Sequence, residues 1–301
     1  MKILLCGAHG QLGNELARSI ATMETEIGPV PEAYRGAQVD AVDMGEMDIA
    51  SERSVSSWFM EHGPYDLVIN CAAYTNVDGC EANEATAMAV NGTAVRYLAA
   101  ASEAGGAKFV HISTDYVFPG TQEEPYVESD ATGPISAYGR TKLAGETNAL
   151  AYCSRAFVVR TSWLYGYVGK NFVKTMLRLG ESHAEVTVVN DQFGNPTNAN
   201  DLAYELLKIA LTENYGLYHC TGDGICSWFD FATAIMAAAR PACKVLPCTS
   251  EEYAAAHPAS ATRPAHSALR NKRLEETVGD EMRPWQDALA TYLANLPELE
   301  G

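Results

Sequence analysis

Two clusters of residues in this sequence have the types and spacing to do chemistry. Tyr138 and Lys142 stand four residues apart in YGRTK, so a helix would place both side chains on one face. An ammonium beside a phenol stabilises the phenolate and lowers its pKa from the ordinary value of about 10. A phenol tuned in this way can hand a proton to a carbonyl oxygen as a hydride arrives at carbon. Upstream, Ser113 and Thr114 close the apolar run KFVHIST (108–114), where a hydroxyl can bond the same oxygen. At the N-terminus, GAHGQLG (7–13) puts glycines at 7, 10 and 13. Gly7 and Gly10 permit a tight turn and a close backbone approach to a diphosphate, and Gly13 lets a helix pack on the preceding strand. The free amides at the start of that helix then face the anion. The spacing is G-x-x-G-x-x-G rather than G-x-G-x-x-G, and its weight comes from lying between a strand and a helix.

These groups need a frame that brings them together. KILLCG (2–7), QVDAVD (38–43), DLVINCAA (66–73), KFVHIST (108–114) and AFVVRTSWLYG (156–166) read as short strands. Residues 11–23, 51–63, 81–106 and 136–152 read as helices, with Asn91-Gly92 interrupting the third. This alternation of apolar strands with helices predicts an α/β fold, a Rossmann-type doubly wound parallel sheet covered on both faces. Ligands of such sheets bind at the C-terminal ends of the strands. Asp43 ends the second strand, where an acid meets the adenosine ribose hydroxyls; a solvated loop acid is the alternative. The second half carries more proline and shorter apolar runs, among them EVTVVND (185–191), with helices at 200–212 and 227–239. It predicts a smaller C-terminal α+β substrate lobe. The division is 1–165 for a dinucleotide-binding domain and 166–301 for a mainly substrate-binding lobe, with segments returning to the main sheet.

Composition narrows the partners. Hydrophobic residues make up 47% of the 301, enough for a sizeable core, which excludes global disorder. Lys and Arg number 21 against 38 Asp and Glu, a net charge of −17. A surface this acidic repels phosphate backbones and anionic headgroups, so no nucleic acid and no membrane partner is expected. No apolar run approaches the ~20 residues of a membrane span. Lys2 is followed by too short an apolar run for the roughly 7–15 residues of a secretory signal core. The expectation is a cytoplasmic chain with reduced thiols. The eight cysteines form no C-x-x-C pair, and Cys220, Cys226, Cys243 and Cys248 lack zinc-site spacing. Cys6 and Cys71, in apolar runs, read as small core residues, and His111 as a buried strand histidine.

The glycine turn, the strand-end hydroxyl and Tyr-x-x-x-Lys, in this order, resemble the extended, nucleotide-sugar-active branch of the short-chain dehydrogenase/reductase superfamily. CAAYTNVDGCE (71–81), STDYVFPG (113–120), RTSWLYG (160–166), GKNFVKTM (169–176), VNDQFGNPT (189–197) and ATRPAHS (261–267) sharpen the likeness to the dTDP-4-dehydrorhamnose reductase family, over residues 1 to about 290. That family reduces the 4-keto group of dTDP-4-dehydro-β-L-rhamnose to dTDP-L-rhamnose with NADPH or NADH. The resemblance implies that Gly7, Gly10, Gln11 and Leu12 hold the cofactor diphosphate, with Asp43, Asp48 and Ile49 by the adenosine. It implies that Ala72, Ala73, Tyr74, Thr75 and Ile112 line the cofactor. Tyr138 would be the proton donor, Lys142 would bind ribose and tune it, and Thr114 replaces the serine common in the superfamily. Thr114 and Asp115 would contact the sugar, Trp163 would stack over it, and Arg263 would grip the nucleotide diphosphate. Asn171, Asn190 and Gln192 are either ligands or loop caps. Some members dimerise around magnesium held by glutamates. Glu15 fits one such position, but only Asp201 offers itself as a partner, so metal and a monomer or homodimer stay open. Glu298 and Glu300 read as a solvated tail.

Two alternatives remain at this level. Another nucleotide-sugar enzyme, a 4,6-dehydratase or 4-epimerase, would share the frame. Dehydratases, however, carry an acidic pair after the strand-end threonine, where this chain has Asp115-Tyr116. A non-catalytic regulatory subunit, related to that of methionine adenosyltransferase, would have no need to keep Thr114, Tyr138 and Lys142.

Overall fold

The computed structural model describes residues 1–296; Glu298 and Glu300 lie outside them. Six strands form the main sheet: β1 (Lys2–Cys6), β2 (Gln38–Val42), β3 (Leu67–Asn70), β4 (Lys108–Thr114), β5 (Ala156–Thr161) and β6 (Gly216–His219). Their spatial order is β6-β5-β4-β3-β1-β2, and every pairing is parallel. The chain reverses direction across the sheet between β1 and β3, and this switch opens a crevice at the strand C-termini. β3 and β5 are buried throughout, as the apolar runs LVIN and AFVVRT require of strands covered on both faces.

The helices start where polar side chains cap them. Ser51 accepts from the Ser54 amide to open α2 (Glu52–His62), and Ser136 accepts from the Gly139 amide to open α4 (Ala137–Tyr152). The helix α1 (Gln11–Thr22) has no side-chain cap at Gly10, which leaves its first amides open to the crevice. The expected break at Asn91-Gly92 is instead a π-turn, Ala89–Thr93, between Glu84–Met88 and α3 (Ala94–Gly105). Buried Asn91 explains it. Its side chain accepts from the Tyr74 amide at 2.8 Å and donates to the Tyr74 carbonyl at 3.0 Å and to Thr141 Oγ1 at 3.1 Å. The polar dipeptide therefore stays in the helix and fixes the loop after β3.

The second half does two jobs. Helix α6 (Ala199–Leu211) lies against α1, so that Leu202, Leu206 and Leu207 share a core with Leu12, Leu16 and Ile20, and β6 extends the main sheet beside β5. The rest forms a lobe on α5 (Phe172–Ser182), α7 (Trp228–Ala239) and α8 (Trp285–Asn295), with Phe231, Ile235, Trp285 and Tyr292 at its centre. The run 156–166 is two strands rather than one. The backbone turns at Trp163, at φ 47°, and Leu164–Tyr165 leaves to pair with Thr197–Asn198. Among the described residues no helix is long and apolar enough to cross a membrane.

Candidate active site

A cleft of about 890 Å³ lies at the C-terminal ends of β1 to β4, between the sheet and the smaller lobe. The glycine turn forms its floor. Gly7 has φ +74°, and a Cβ there would sit 2.6 Å from the Ala72 nitrogen; one on Gly13 would sit 2.2 Å from the Gly7 carbonyl oxygen. No larger residue allows β1, β3 and α1 to approach so closely, and the closeness creates the cradle a diphosphate needs. Gly10, Gln11 and Leu12 line this end, with Asp43, Asp48 and Ile49 after β2, and Ala72, Ala73, Tyr74 and Thr75 after β3. Ile112, Thr114 and Asp115 follow from β4, Tyr138 and Lys142 from α4, and Trp163 from the turn after β5. The chain thus has the shape and the open helix amides to hold a dinucleotide.

Tyr138 is half-buried, and Tyr116 meets its ring edge-on, with centroids 5.8 Å apart. Burial pushes the phenol above its ordinary pKa; the Thr114 hydroxyl beside it pulls back, and Asp115 adds to the rise. Lys142 is buried, and its Nζ donates to the Ile112 carbonyl at 2.6 Å. Burial lowers this ammonium to about 8, against the opposing pull of Glu146 and Cys71. Lys142 is turned to a carbonyl, and the Thr114 hydroxyl is the group beside Tyr138 that opposes the rise. Asp115 is 2% exposed, accepts from Thr114 Oγ1 at 2.9 Å and from Ser267 Oγ, and burial raises it to about 7. Ser113 donates to Glu146 at 2.6 Å, so Thr114 is the strand-end hydroxyl that stands beside Tyr138.

The sequence model of the RmlD substrate binding domain matches residues 1–297. A dTDP-4-dehydrorhamnose reductase of Burkholderia thailandensis is 40% identical over 309 residues, covering 98% of this chain and 99% of that one. The chain belongs to the dTDP-4-dehydrorhamnose reductase family. Solved structures agree. A dTDP-4-dehydrorhamnose reductase from Clostridium acetobutylicum superposes with a TM-score of 0.90 at 44% identity, covering 98% of this chain and 99% of that one. Another from Bacillus anthracis, in complex with NADP, gives 0.89 at 37%, covering 97% and 98%.

Against the family's expected set, one residue stands apart. Arg263 does not line the cleft. It is tied to Asp78 at 3.0 Å and lies against Tyr116, at the rim. The lining residues outside the expected set include Tyr116, Trp228 and Lys170. Tyr116 was seen only as a missing acid. Trp228 stacks on Trp163 with centroids 3.5 Å apart and planes 7° from parallel, yet in sequence it is one more aromatic opening an apolar helix. Lys170 sits in GKNF with no local signal of its own. Asn171 is a cap, accepting from the Lys174 amide at 2.9 Å, and it also donates to Gln11 Oε1 at 2.9 Å. Gln192 donates to Ser250.

The carboxylates considered for magnesium do not fit a metal. Glu15 accepts from Arg18 at 3.1 Å and Asn200 at 2.8 Å, and Asp201 takes a two-pronged contact from Arg283 at 2.6 and 2.9 Å. Each is already neutralised by an arginine. Among the described residues no group of three or more His, Cys, Asp or Glu side chains is placed to hold a metal ion.

Proposed function

We propose that this chain reduces the 4-keto group of dTDP-4-dehydro-β-L-rhamnose to dTDP-L-rhamnose, in the cytoplasm, as a monomer or homodimer. The observation that carries the proposal is the meeting of Tyr138, Thr114 and Lys142 in one cleft with the glycine turn. NADH or NADPH, when bound, supplies the hydride. Tyr138 delivers a proton to the sugar O4 as charge develops there, with the Thr114 hydroxyl beside the phenol. Lys142 donates to the ribose, and the backbone amides after Gly10 receive the diphosphate. Trp163, backed by Trp228, gives the sugar a flat wall, and Arg263 meets the substrate diphosphate at the rim. A dehydratase needs a second acid beside Asp115, and Tyr116 occupies that place.

The test is incubation with dTDP-4-dehydrorhamnose and each reduced cofactor, following the loss of reduced-nicotinamide absorbance. Turnover of the keto sugar is expected. In Tyr138→Phe, kcat should fall by about 10²–10⁴, the range for a lost general acid, with far less change in substrate binding. A variant within a few-fold of wild type would remove Tyr138 from the mechanism.

A further inference from the structure

The segment ATRPAHS (261–267) ends on Ser267, which is buried and reaches into the active site. Its Oγ donates to Asp115 Oδ2. The other carboxylate oxygen, Oδ1, accepts from Thr114 Oγ1 at 2.9 Å, and Thr114 Oγ1 in turn accepts the Tyr116 amide at 3.2 Å. The Thr114 hydroxyl also stands against the Tyr138 hydroxyl. Three side chains are thus hydrogen-bonded in file, Ser267, Asp115 and Thr114, and the Tyr138 hydroxyl stands at the Thr114 end. A threonine hydroxyl has a single hydrogen to give. With Asp115 ionised, that hydrogen goes to the carboxylate, and the phenol oxygen receives none from this side. With Asp115 protonated, the carboxyl donates to Thr114, and the Thr114 hydrogen is released to Tyr138. A hydrogen bond donated to the phenol oxygen stabilises the phenolate and makes the phenol a better acid.

We propose that Asp115 sets the direction of this hydrogen-bonded file, priming Tyr138 when it carries a proton, and that Ser267 is a positioning residue that governs how readily it does so. The proposal rests on the reductase function given above. The protons balance. The Tyr138 O–H bond breaks as the O–H bond on the sugar forms; Tyr138 then takes the Thr114 proton, Thr114 takes the Asp115 proton, and water reprotonates Asp115. Nothing in the file is oxidised or reduced.

The surroundings of Asp115 leave its charge unpaired. Thr114 and Tyr116 face it from its own turn, Tyr138 from α4 and Ser267 from the C-terminal segment. Arg263 lies against Tyr116 and is held by Asp78. Burial, opposed only by hydrogen bonds, accordingly brings Asp115 to about 7. As pH rises through that value the carboxyl ionises, Thr114 turns to it, and kcat should fall.

The experiment is the pH profile of kcat for wild type, Ser267→Ala, Ser267→Thr and Asp115→Asn, beside an infrared titration of the Asp115 carboxyl band, assigned by its loss in Asp115→Asn. Ser267→Ala removes a donor to the carboxylate, so the band's midpoint and the alkaline limb near pH 7 should both move up by about one pH unit. Ser267→Thr should return both, and the Michaelis constant for cofactor should hold in both Ser267 variants. Lys142, lowered to about 8, adds a later limb that no Ser267 variant should move. A band midpoint that stays in place in Ser267→Ala, or a limb near pH 7 that persists in Asp115→Asn, overturns the proposal. The infrared titration needs no substrate. A wild type that leaves the keto sugar untouched would sink the reductase function, while the band would still decide whether Ser267 tunes Asp115.

Discussion

Glu146 and Lys142 lie one turn apart on α4, both buried, and they are treated in opposite ways. Glu146 faces Arg160 through two contacts of 2.7 and 2.8 Å and accepts from Ser113, so its charge is cancelled inside the protein. Among the described residues Lys142 donates only to a backbone carbonyl, and no carboxylate bonds it directly. The same contrast runs through the molecule. At the seam between α1 and α6, Glu15 and Asp201 are paired with Arg18 and Arg283. In the cleft, buried Asp115 is held by hydroxyls. A buried charge with a counter-ion is closed to further chemistry. One with neutral partners remains available to a ligand's charge or to a proton, at the cost of a shifted pKa.

The sharpest way to break this division is to strip the counter-ion from the closed side. Arg160→Met leaves Glu146 buried and unpaired, and loss of one partner of a buried pair costs about 3–5 kcal/mol. Urea unfolding should show that loss. Arg160→Met with Glu146→Leu should recover most of it, because two apolar groups replace two charges. A single variant as stable as wild type would mean that the pair contributes nothing and that the contrast with the cleft is empty.

On the open side, Lys142→Met should cost less stability and more function. A hydrogen bond to a charged group contributes about 1.5–3 kcal/mol, so cofactor affinity should weaken by about 10- to 100-fold. The pH dependence sharpens the point. The ammonium exists below its pKa of about 8, so wild-type cofactor binding should weaken as pH rises through 8. In Lys142→Met that dependence should vanish. Titration of cofactor fluorescence from pH 6.5 to 9.5 reads both effects, and a wild type flat across that range would contradict the lowered pKa.

What the sequence disclosed follows the same division. The open groups were legible because local rules place them. Tyr138 and Lys142 share a helix face by spacing, Gly7, Gly10 and Gly13 punctuate a strand and a helix, and Asp43 and Thr114 end apolar runs. The closed groups were not. Arg160 meets Glu146 across a strand–helix contact, and Arg283 meets Asp201 across 82 residues of sequence, distances over which no local rule acts. Ser267 and Trp228 reach the cleft region from the distant half of the chain, by packing alone. Asn91-Gly92, a turn signal by type, was overruled by the bonds Asn91 makes to Tyr74 and Thr141. Strand existence was read correctly where runs were uniformly apolar, whereas the turn at Trp163 depends on where Leu164–Tyr165 finds a partner.

The smallest effect concerns Asp43, the open charge after β2, where the proposed function puts the adenosine. Its carboxylate accepts from the His9 amide at 3.2 Å and the Met44 amide at 2.9 Å, and no arginine or lysine bonds it. Arg35, the cation nearest β2 in sequence on its N-terminal side, is bound to Glu32 and does not line the cleft. Asp48 and Asp43 are the charged groups lining this end. A 2′-phosphate adds about 1.5–2 negative charges and meets that pair without a basic partner. Two unit charges about 4 Å apart in water interact by about 1 kcal/mol, so repulsion should favour NADH over NADPH by about fivefold in kcat/KM. Asp43→Ala should erase most of that preference and weaken NADH, because the ribose hydroxyls and the His9 amide lose their acceptor. Paired steady-state kinetics on both proteins decide it. A wild type that favours NADPH tenfold would show that the carboxylate is neutralised or turned away on binding. An unchanged ratio in Asp43→Ala would pass the discrimination to Asp48, whose carboxylate accepts from the Ala50 amide at 2.9 Å.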